Sequence, residues 1–464
     1  MGPAACILAP QPAFAHAFAQ RYDLPLPLGY FIAGAALAVA LSFLGSFLLG
    51  KPLSRDALSI RIPVPGWLAA VALRTVLGVA LLLLAAVAVT GVLGPASPTK
   101  NFATVFVWVI WWVGFVLFTA LAIDLWSAGN PFRATVDTVL RALPRRAAAR
   151  RLPGAAGWLA VLGLVLISWI ETVSDWSEDP RMLVAIAGVY LVFLLAGSAA
   201  FGAAAWFAAA DPLTRLFGLL GHVAPLKAEA SALRLRVPAS GLVGVDTGGI
   251  GAVFTVTLIA LVLFDGLSET PFWAGILDAI TRSQGLRGWL LDLRAAGIDI
   301  LKLIQTLGLL ATALAALAAY LALSVAIWVA AGRVRPWNVI FSGFAGSLLP
   351  IAVAYHLAHY VSYLVLAGQL MIPIASDPLA MGWDLFGGAR RTLDLGAITA
   401  AQVWWIAAAA LVVGHALSVF VAHAEAMRLM QDRRRAIRSQ LPMMVFMVGL
   451  TALSLWILAQ PIVA

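Results

Sequence analysis

The sequence has 464 residues, of which 62% are hydrophobic and 11% are charged, and its mean hydropathy is +0.98. Soluble globular proteins carry about 25% charged residues, so this composition excludes that class and indicates a polytopic membrane protein. The single cysteine excludes an internal disulfide framework, and the formal net charge of +9 must be explained by where the basic residues lie.

The first residues, 1–15, share some features with a secretory signal peptide. The tripeptide Ala-Phe-Ala before His16 fits a small-x-small cleavage site. However, residues 1–12 contain no Lys or Arg, and their apolar run is short for a signal core. Cleavage before His16 and an uncleaved chain both stay open. We treat residues 16–464 as a single integral membrane domain.

Apolar runs long enough for a membrane-crossing helix recur about ten times. Such a helix needs roughly 20 apolar residues. We therefore predict an all-α fold of about ten transmembrane helices, called spans 1 to 10 in chain order. They lie near residues 29–50, 67–94, 102–126, 155–172, 181–210, 247–266, 301–331, 338–372, 399–424 and 442–460. Pro350 lies inside span 8 and predicts a bend there.

Basic residues cluster in alternate loops between these spans. By the positive-inside rule these loops are cytoplasmic, which places both termini on the outer, periplasmic side of a bacterial inner membrane. The basic excess is then a topology signal, so we expect the lipid bilayer, and not nucleic acid, as a partner. The clustered residues are Lys51, Arg55, Arg61, Arg133, Arg141, Arg145, Arg146, Arg150, Arg151, Arg215, Lys227, Arg234, Arg236, Arg333, Arg335, Arg428, Arg433, Arg434, Arg435 and Arg438.

Carboxylates and tryptophans gather in the loops on the predicted outer side. The loop after span 4 reads ETVSDWSEDPR, the loop after span 6 begins FDGLSETPFW, and the loop after span 8 reads SDPLAMGWDLFGGARRTLD. Near residues 271–300, apolar and charged positions recur at helical spacing. This pattern predicts an amphipathic segment that lies along the outer face of the membrane.

His356 and His359 lie about one helical turn apart within the apolar stretch IAVAYHLAHYVSYLV of span 8. An imidazole in hydrocarbon is costly unless it is paired, hydrogen-bonded or bound to metal. Residues three apart lie on one face of a helix, so both rings can point at one object. The pair is therefore the first candidate for a functional site.

One interpretation is that the two histidines hold a divalent metal ion. Further ligands would come from His415 on span 9, from His16, or from the outer-loop carboxylate Asp377. Imidazole with carboxylate suits zinc, iron or copper, and we favour zinc or copper. In an enzyme built on such a site, the carboxylates of Asp384 or Glu171 would orient the attacking water.

A structural interpretation competes with the metal site. Each imidazole would then be neutral and hydrogen-bonded to Ser362, to a backbone carbonyl or to a tyrosine of the same helix. The tyrosines within reach are Tyr355, Tyr360 and Tyr363. Haem ligation is a third interpretation. No Walker loop, GxSxG elbow or HExxH motif is present, which excludes the common nucleotide-binding and serine-hydrolase functions.

Several stretches, taken as a set, resemble one bacterial membrane family. They read HAFAQRYDLPLPLGYF, WVGFVLFTALAIDLWSAGNPFRA, FDGLSETPFW, AYHLAHY, SDPLAMGWDLFG, GHALSVFVAHAEAMRL and RRRAIRSQLPM. Over almost the whole chain, the sequence resembles the membrane-bound fenitrothion hydrolases. The resemblance implies hydrolysis of the aryl ester bond of apolar organophosphorus triesters. It supplies no assignment of individual residues, so the site residues above rest on their chemistry alone.

The metal site and the implied reaction are compatible. A metal ion in the outer half of the membrane would lower the pKa of its bound water towards 7 and polarise the phosphoryl group.

Two other functions stay open. A transporter or metal-handling permease would use the intramembrane histidines as a relay or transit site, although no internal repeat is visible in the sequence. A membrane redox protein would use haem or copper.

Overall fold

The computed structural model describes residues 27–49, 59–143, 150–229 and 231–460. Ten helices in these ranges are long and apolar enough to cross a membrane, which confirms the predicted all-α polytopic fold. They are Leu28–Leu48, Gly66–Leu93, Phe102–Leu121, Gly154–Thr172, Pro180–Phe201, Gly248–Ser268, Ile300–Ala330, Trp337–Ser376, Ala400–Met430 and Arg433–Leu458. Because ten is an even number, the start of span 1 and the end of span 10 lie on the same side of the membrane.

Span 3 differs from a regular α-helix over half of its length. Its residues Phe106–Phe115 form a π-helix, between α-helical segments at Phe102–Val105 and Val116–Leu121. The span ends at Leu121 and not near residue 126 as predicted. A π-helix has a wider turn than an α-helix, is rare, and is frequently found at functional sites. The irregularity therefore marks the neighbourhood of span 3 for inspection.

Span 5 is shorter than predicted because Gly202 breaks it. The backbone of Gly202 has a φ of 87°, which ends the helix at Phe201, and a separate helix follows at Ala203–Ala210. The indole of Trp206 in this second helix lies against span 5. A Cβ atom at Gly197 would lie 1.8 Å from the Trp206 ring, so only glycine admits this packing.

The predicted cytoplasmic face contains structure that the hydropathy pattern does not show. The segment after span 5 forms a buried helix, Pro212–Val223, and two further helices occupy Trp126–Gly129 and Pro131–Ala142. A small antiparallel sheet has the order β1-β3-β2. Its strands are β1 (Ile60–Pro63), β2 (Leu226–Glu229) and β3 (Ala232–Leu235), with Arg61 opposite Arg234. The carboxylate of Glu229 lies 2.8 Å from Arg234 and 3.4 Å from Arg61, which offsets the repulsion between the two guanidinium groups.

Span 8 is interrupted, as the position of Pro350 predicts. Its first helix, Trp337–Ala345, passes through a 3₁₀ turn into the helix Leu349–Ala367, and Pro350 lies in the first turn of this second helix. Span 9 packs closely against it. A Cβ atom at Gly414 would lie 2.3 Å from the Ala354 Cβ and 2.7 Å from the Pro350 carbonyl oxygen. Spans 8 and 9 are thus antiparallel neighbours.

Spans 6 and 8 form the buried centre of the molecule. Phe254, Phe264 and Leu349 are almost fully buried, whereas spans 2 and 5 expose many apolar side chains, as helices facing lipid do. The segment predicted to be amphipathic, 271–300, contains the short helices Pro271–Thr281 and Arg287–Ala295.

Candidate functional site

The most deeply buried carboxylate on the predicted outer side belongs to Asp265, three residues before the end of span 6. Its side chain is 4% exposed, and its Oδ2 lies 2.9 Å from Nε2 of His359, which is 9% exposed. A buried charge in a membrane protein is tolerated when it is paired inside the bundle. The contact between span 6 and span 8 therefore explains why each of these polar residues is tolerated.

Tyr360 joins this pair to a second carboxylate. Its hydroxyl lies 2.5 Å from Oδ2 of Asp265 and 3.2 Å from Oε1 of Glu171, near the outer end of span 4. A phenol carries one proton, so it can donate to only one carboxylate at a time. The other contact is a hydrogen bond only when that carboxyl group carries a proton. The geometry thus suits a proton shared among Asp265, Tyr360 and Glu171. We call these three residues, together with His359, the outer cluster.

The ring of His356 faces a different neighbour from that of His359. It lies against the backbone of Val113, which belongs to the π-helix of span 3, and its centroid lies 4.7 Å from the Tyr360 ring. Its Nε2 atom is buried and has no hydrogen-bond partner among the described residues. One histidine therefore joins span 8 to span 3 and the other joins it to span 6.

A pocket that is partly open to solvent lies beside the outer cluster. Glu171 and Tyr360 belong to both the pocket wall and the cluster. The remaining lining residues come from spans 3 and 8 and from two outer loops. They are Pro98, Thr104, Val105, Trp108, Val109, Ser177, Glu178, Tyr363, Ala367 and Leu370. A solute or a proton from the predicted outer side can therefore reach Glu171 and Tyr360.

The other predicted site residues have separate partners. Nδ1 of His415 lies 2.8 Å from the Leu411 carbonyl oxygen of its own helix. Asp377 accepts backbone N–H groups from Met381 and Gly382, and Asp384 accepts one from Ala389. These two carboxylates shape the exposed loop after span 8. The remaining candidate, the histidine at position 16, lies outside the described residues.

The described residues contain no group of three or more His, Cys, Asp or Glu side chains arranged to hold a metal ion. The two histidines of span 8, which the metal hypothesis needs together, are held at separate partners on spans 3 and 6. The donor set in the described residues does not fit a metal centre, so we derive no step through one. The metal site stays a prediction from the sequence.

Asp265 is the residue of the outer cluster that the sequence analysis did not assign. It lies inside the apolar run predicted as span 6, at residues 247–266. A carboxylate within a membrane-spanning run is by itself a signal of a functional site. The sequence analysis places FDGLSETPFW, and Asp265 with it, in the loop after span 6, so Asp265 is not among its candidate site residues.

Comparison with known proteins adds one partial match. A stretch of 112 residues is 35% identical to the uncharacterized transporter YflA of Bacillus subtilis (strain 168). The match covers 21% of this chain and 22% of that transporter, so this chain matches about a fifth of its length. The chain is a multi-pass membrane protein. No protein-family model matches the sequence, and no solved structure matches it.

Proposed function

We propose that the protein is a proton-coupled membrane transporter in which the outer cluster binds and transfers the proton. The observation that carries the proposal is the position of the Tyr360 hydroxyl between the carboxylates of Asp265 and Glu171 at the wall of an open pocket. The partial match to a protein named as a transporter supports the same class.

The cluster offers a continuous path for a proton. A proton from the pocket binds Glu171, whose carboxyl group then donates to the Tyr360 oxygen. The hydroxyl proton of Tyr360 passes to Asp265, so the phenol gains one proton and loses one. The pair formed by Asp265 and His359 takes up this proton. A neutral imidazole with a carboxylate carries one negative charge, and the added proton brings the net charge of the pair to zero. Removing the net charge of a buried site lowers the cost of moving it within the membrane.

Span 8, which carries two residues of the cluster, and span 3 beside it are irregular, as helices in many transporters are. Span 8 contains the 3₁₀ turn Gly346–Leu348, about two helical turns before His356, and span 3 contains the π-helix Phe106–Phe115. Discontinuous helices place backbone groups and hinges beside binding sites in many transporter folds.

The experiment measures charge displacement by protons in liposomes adsorbed to an electrode. An acidic step on the outer side should give a transient current with the wild-type protein, because protons enter the buried cluster. The double variant Asp265→Asn/His359→Gln should give no more current than empty liposomes. Tyr320→Phe is the matched control, since this buried tyrosine donates to the Phe341 carbonyl far from the cluster. A wild-type current from the double variant would overturn the proposal.

Hydrolysis of organophosphorus triesters is a second candidate, favoured by the resemblance and by the pairing of His359 with Asp265. An imidazole oriented by a carboxylate can take a proton from water. The oxygen of that water would form a bond to phosphorus while the bond to the aryloxide breaks. The test is nitrophenol release from fenitrothion. Release that is lost in His359→Ala, together with an unchanged proton current in the double variant, would favour the hydrolase over the transporter.

A further inference from the structure

The side chains that line the pocket share a chemical character. Every ionisable side chain in the lining is a carboxylic acid or a phenol, contributed by Glu171, Glu178, Tyr360 and Tyr363. The indole of Trp108 joins them, and its Nε1 donates to the Ser177 carbonyl at 2.9 Å. Since the indole N–H is engaged by the backbone, the ring offers the pocket its π system.

This combination suits a positively charged organic molecule. Carboxylates attract a cation through charge, and the faces of Trp and Tyr attract it through the quadrupole of the ring. We infer that the pocket binds a small organic ammonium ion, with Glu171 and Glu178 opposite the nitrogen and Trp108, Tyr360 and Tyr363 around its alkyl groups. The inference rests on the proposed function, since it names the solute that the transporter would exchange for protons.

Glu171 links the solute to the proton. It lies in the pocket wall and also accepts from Tyr360, so an ammonium ion and a proton neutralise the same carboxylate. An ammonium ion bound in the pocket therefore disfavours protonation of Glu171, and protonation of Glu171 disfavours binding of the ammonium ion. An exchange of protons against an ammonium solute follows directly from this shared residue.

The test is isothermal titration calorimetry on the protein in a maltoside detergent, which carries no ammonium group. The probe is choline, and its matched control is dimethylbutanol, in which a carbon atom replaces the charged nitrogen. We expect choline to bind about tenfold or more tightly than the neutral molecule. Equal affinity of the two probes, or no binding of choline, would overturn the inference.

Variants separate this inference from the proton proposal. Glu178→Gln and Trp108→Leu should each weaken choline binding about tenfold, because both side chains line the pocket. Tyr320→Phe should bind choline as the wild type does. Choline binding that is unchanged in both pocket variants would overturn the inference alone. A wild-type proton current in Asp265→Asn/His359→Gln, together with weakened choline binding in the two pocket variants, would overturn the proposed function alone.

Discussion

Two buried carboxylates on opposite sides of the membrane have partners of different kinds. On the predicted inner side, Glu425 has a side chain that is 2% exposed and forms an ion pair with Arg428. Its Oε2 accepts from Nε of Arg428 at 3.0 Å and from the Gly244 backbone N–H at 3.1 Å. On the outer side, Asp265 meets His359 and Tyr360.

The difference shows how a buried acid can serve either structure or chemistry. A guanidinium group does not lose its proton in proteins, so the inner pair has a fixed charge and fastens span 9 to the loop before span 6. Imidazole and phenol can each give and accept protons. The outer cluster can therefore change its protonation without losing its hydrogen bonds, whereas the inner pair cannot.

The largest expected effect on stability is at the inner pair. Among the described residues, Arg428→Met leaves the buried Glu425 carboxylate with the Gly244 N–H as its remaining partner, which costs about 2–4 kcal/mol of unfolding free energy. Thermal unfolding in detergent measures the loss. The same variant should keep the proton current of whatever protein remains folded. A loss of current per folded molecule would show that the inner pair also takes part in proton transfer.

Two tyrosine variants sharpen the comparison through function. Tyr360→Phe and Tyr320→Phe each remove one buried hydroxyl, and each should lower stability by about 1 kcal/mol. Only Tyr360→Phe removes the bridge between two carboxylates, so the proton current should fall at least about tenfold in this variant alone. Equal currents in the two variants would break the comparison.

Metal removal distinguishes the proton proposal from the sequence prediction of a metal centre. The proposed path uses only side chains, so dialysis against a chelator should leave the proton current unchanged. Elemental analysis of the purified protein, wild type beside His356→Ala/His359→Ala, provides the complementary measurement. A stoichiometric metal that is lost in the double variant, together with the current, would favour the metal centre.

Two glycines, one beside each carboxylate, extend the comparison to packing. A Cβ atom at Gly266 would lie 2.3 Å from the Tyr355 hydroxyl oxygen, whereas one at Gly343 would lie 3.0 Å from Leu429 Cδ1 and 3.2 Å from Oε1 of Glu425. Gly266→Ala should therefore cost about 1–3 kcal/mol, and Gly343→Ala about 1 kcal/mol or less. Unfolding in detergent compares them. If Gly343→Ala costs more than Gly266→Ala, the helices around Gly266 shift to accept a Cβ atom more easily than those around Gly343.

The sequence predicts the spans well because each is a continuous apolar run, and the lipid requirement leaves few alternatives to a helix. The sequence predicts an irregularity within a span only where a helix-breaking residue such as Pro350 marks it. The π-helix at Phe106–Phe115 has no such signal, since its ten residues are as apolar as those of a regular span. The sheet of β1, β2 and β3 joins strands far apart in the chain, which local patterns do not indicate.

The site was predicted in part. The two histidines of span 8 and Glu171 were singled out because polar groups within or beside apolar runs are costly. Their partners depend on which helices are neighbours, and that information is not local. Spacing on one helix allows both rings to share a ligand, but the ring of His359 pairs with Asp265 of span 6 and that of His356 lies against span 3. The role of Asp265 was missed for the same reason, because its partners His359 and Tyr360 lie on span 8 and not on its own helix.

Infrared difference spectroscopy tests the exchangeable character of the outer cluster most directly. The wild-type protein should gain a carboxylic acid C=O band on acidification, and that band should shift in heavy water. Asp265→Asn and Glu171→Gln should each remove or displace the band, and Glu425→Gln should leave it unchanged. A band that persists in both outer variants, or disappears only in Glu425→Gln, would contradict the assignment of the proton to the outer cluster.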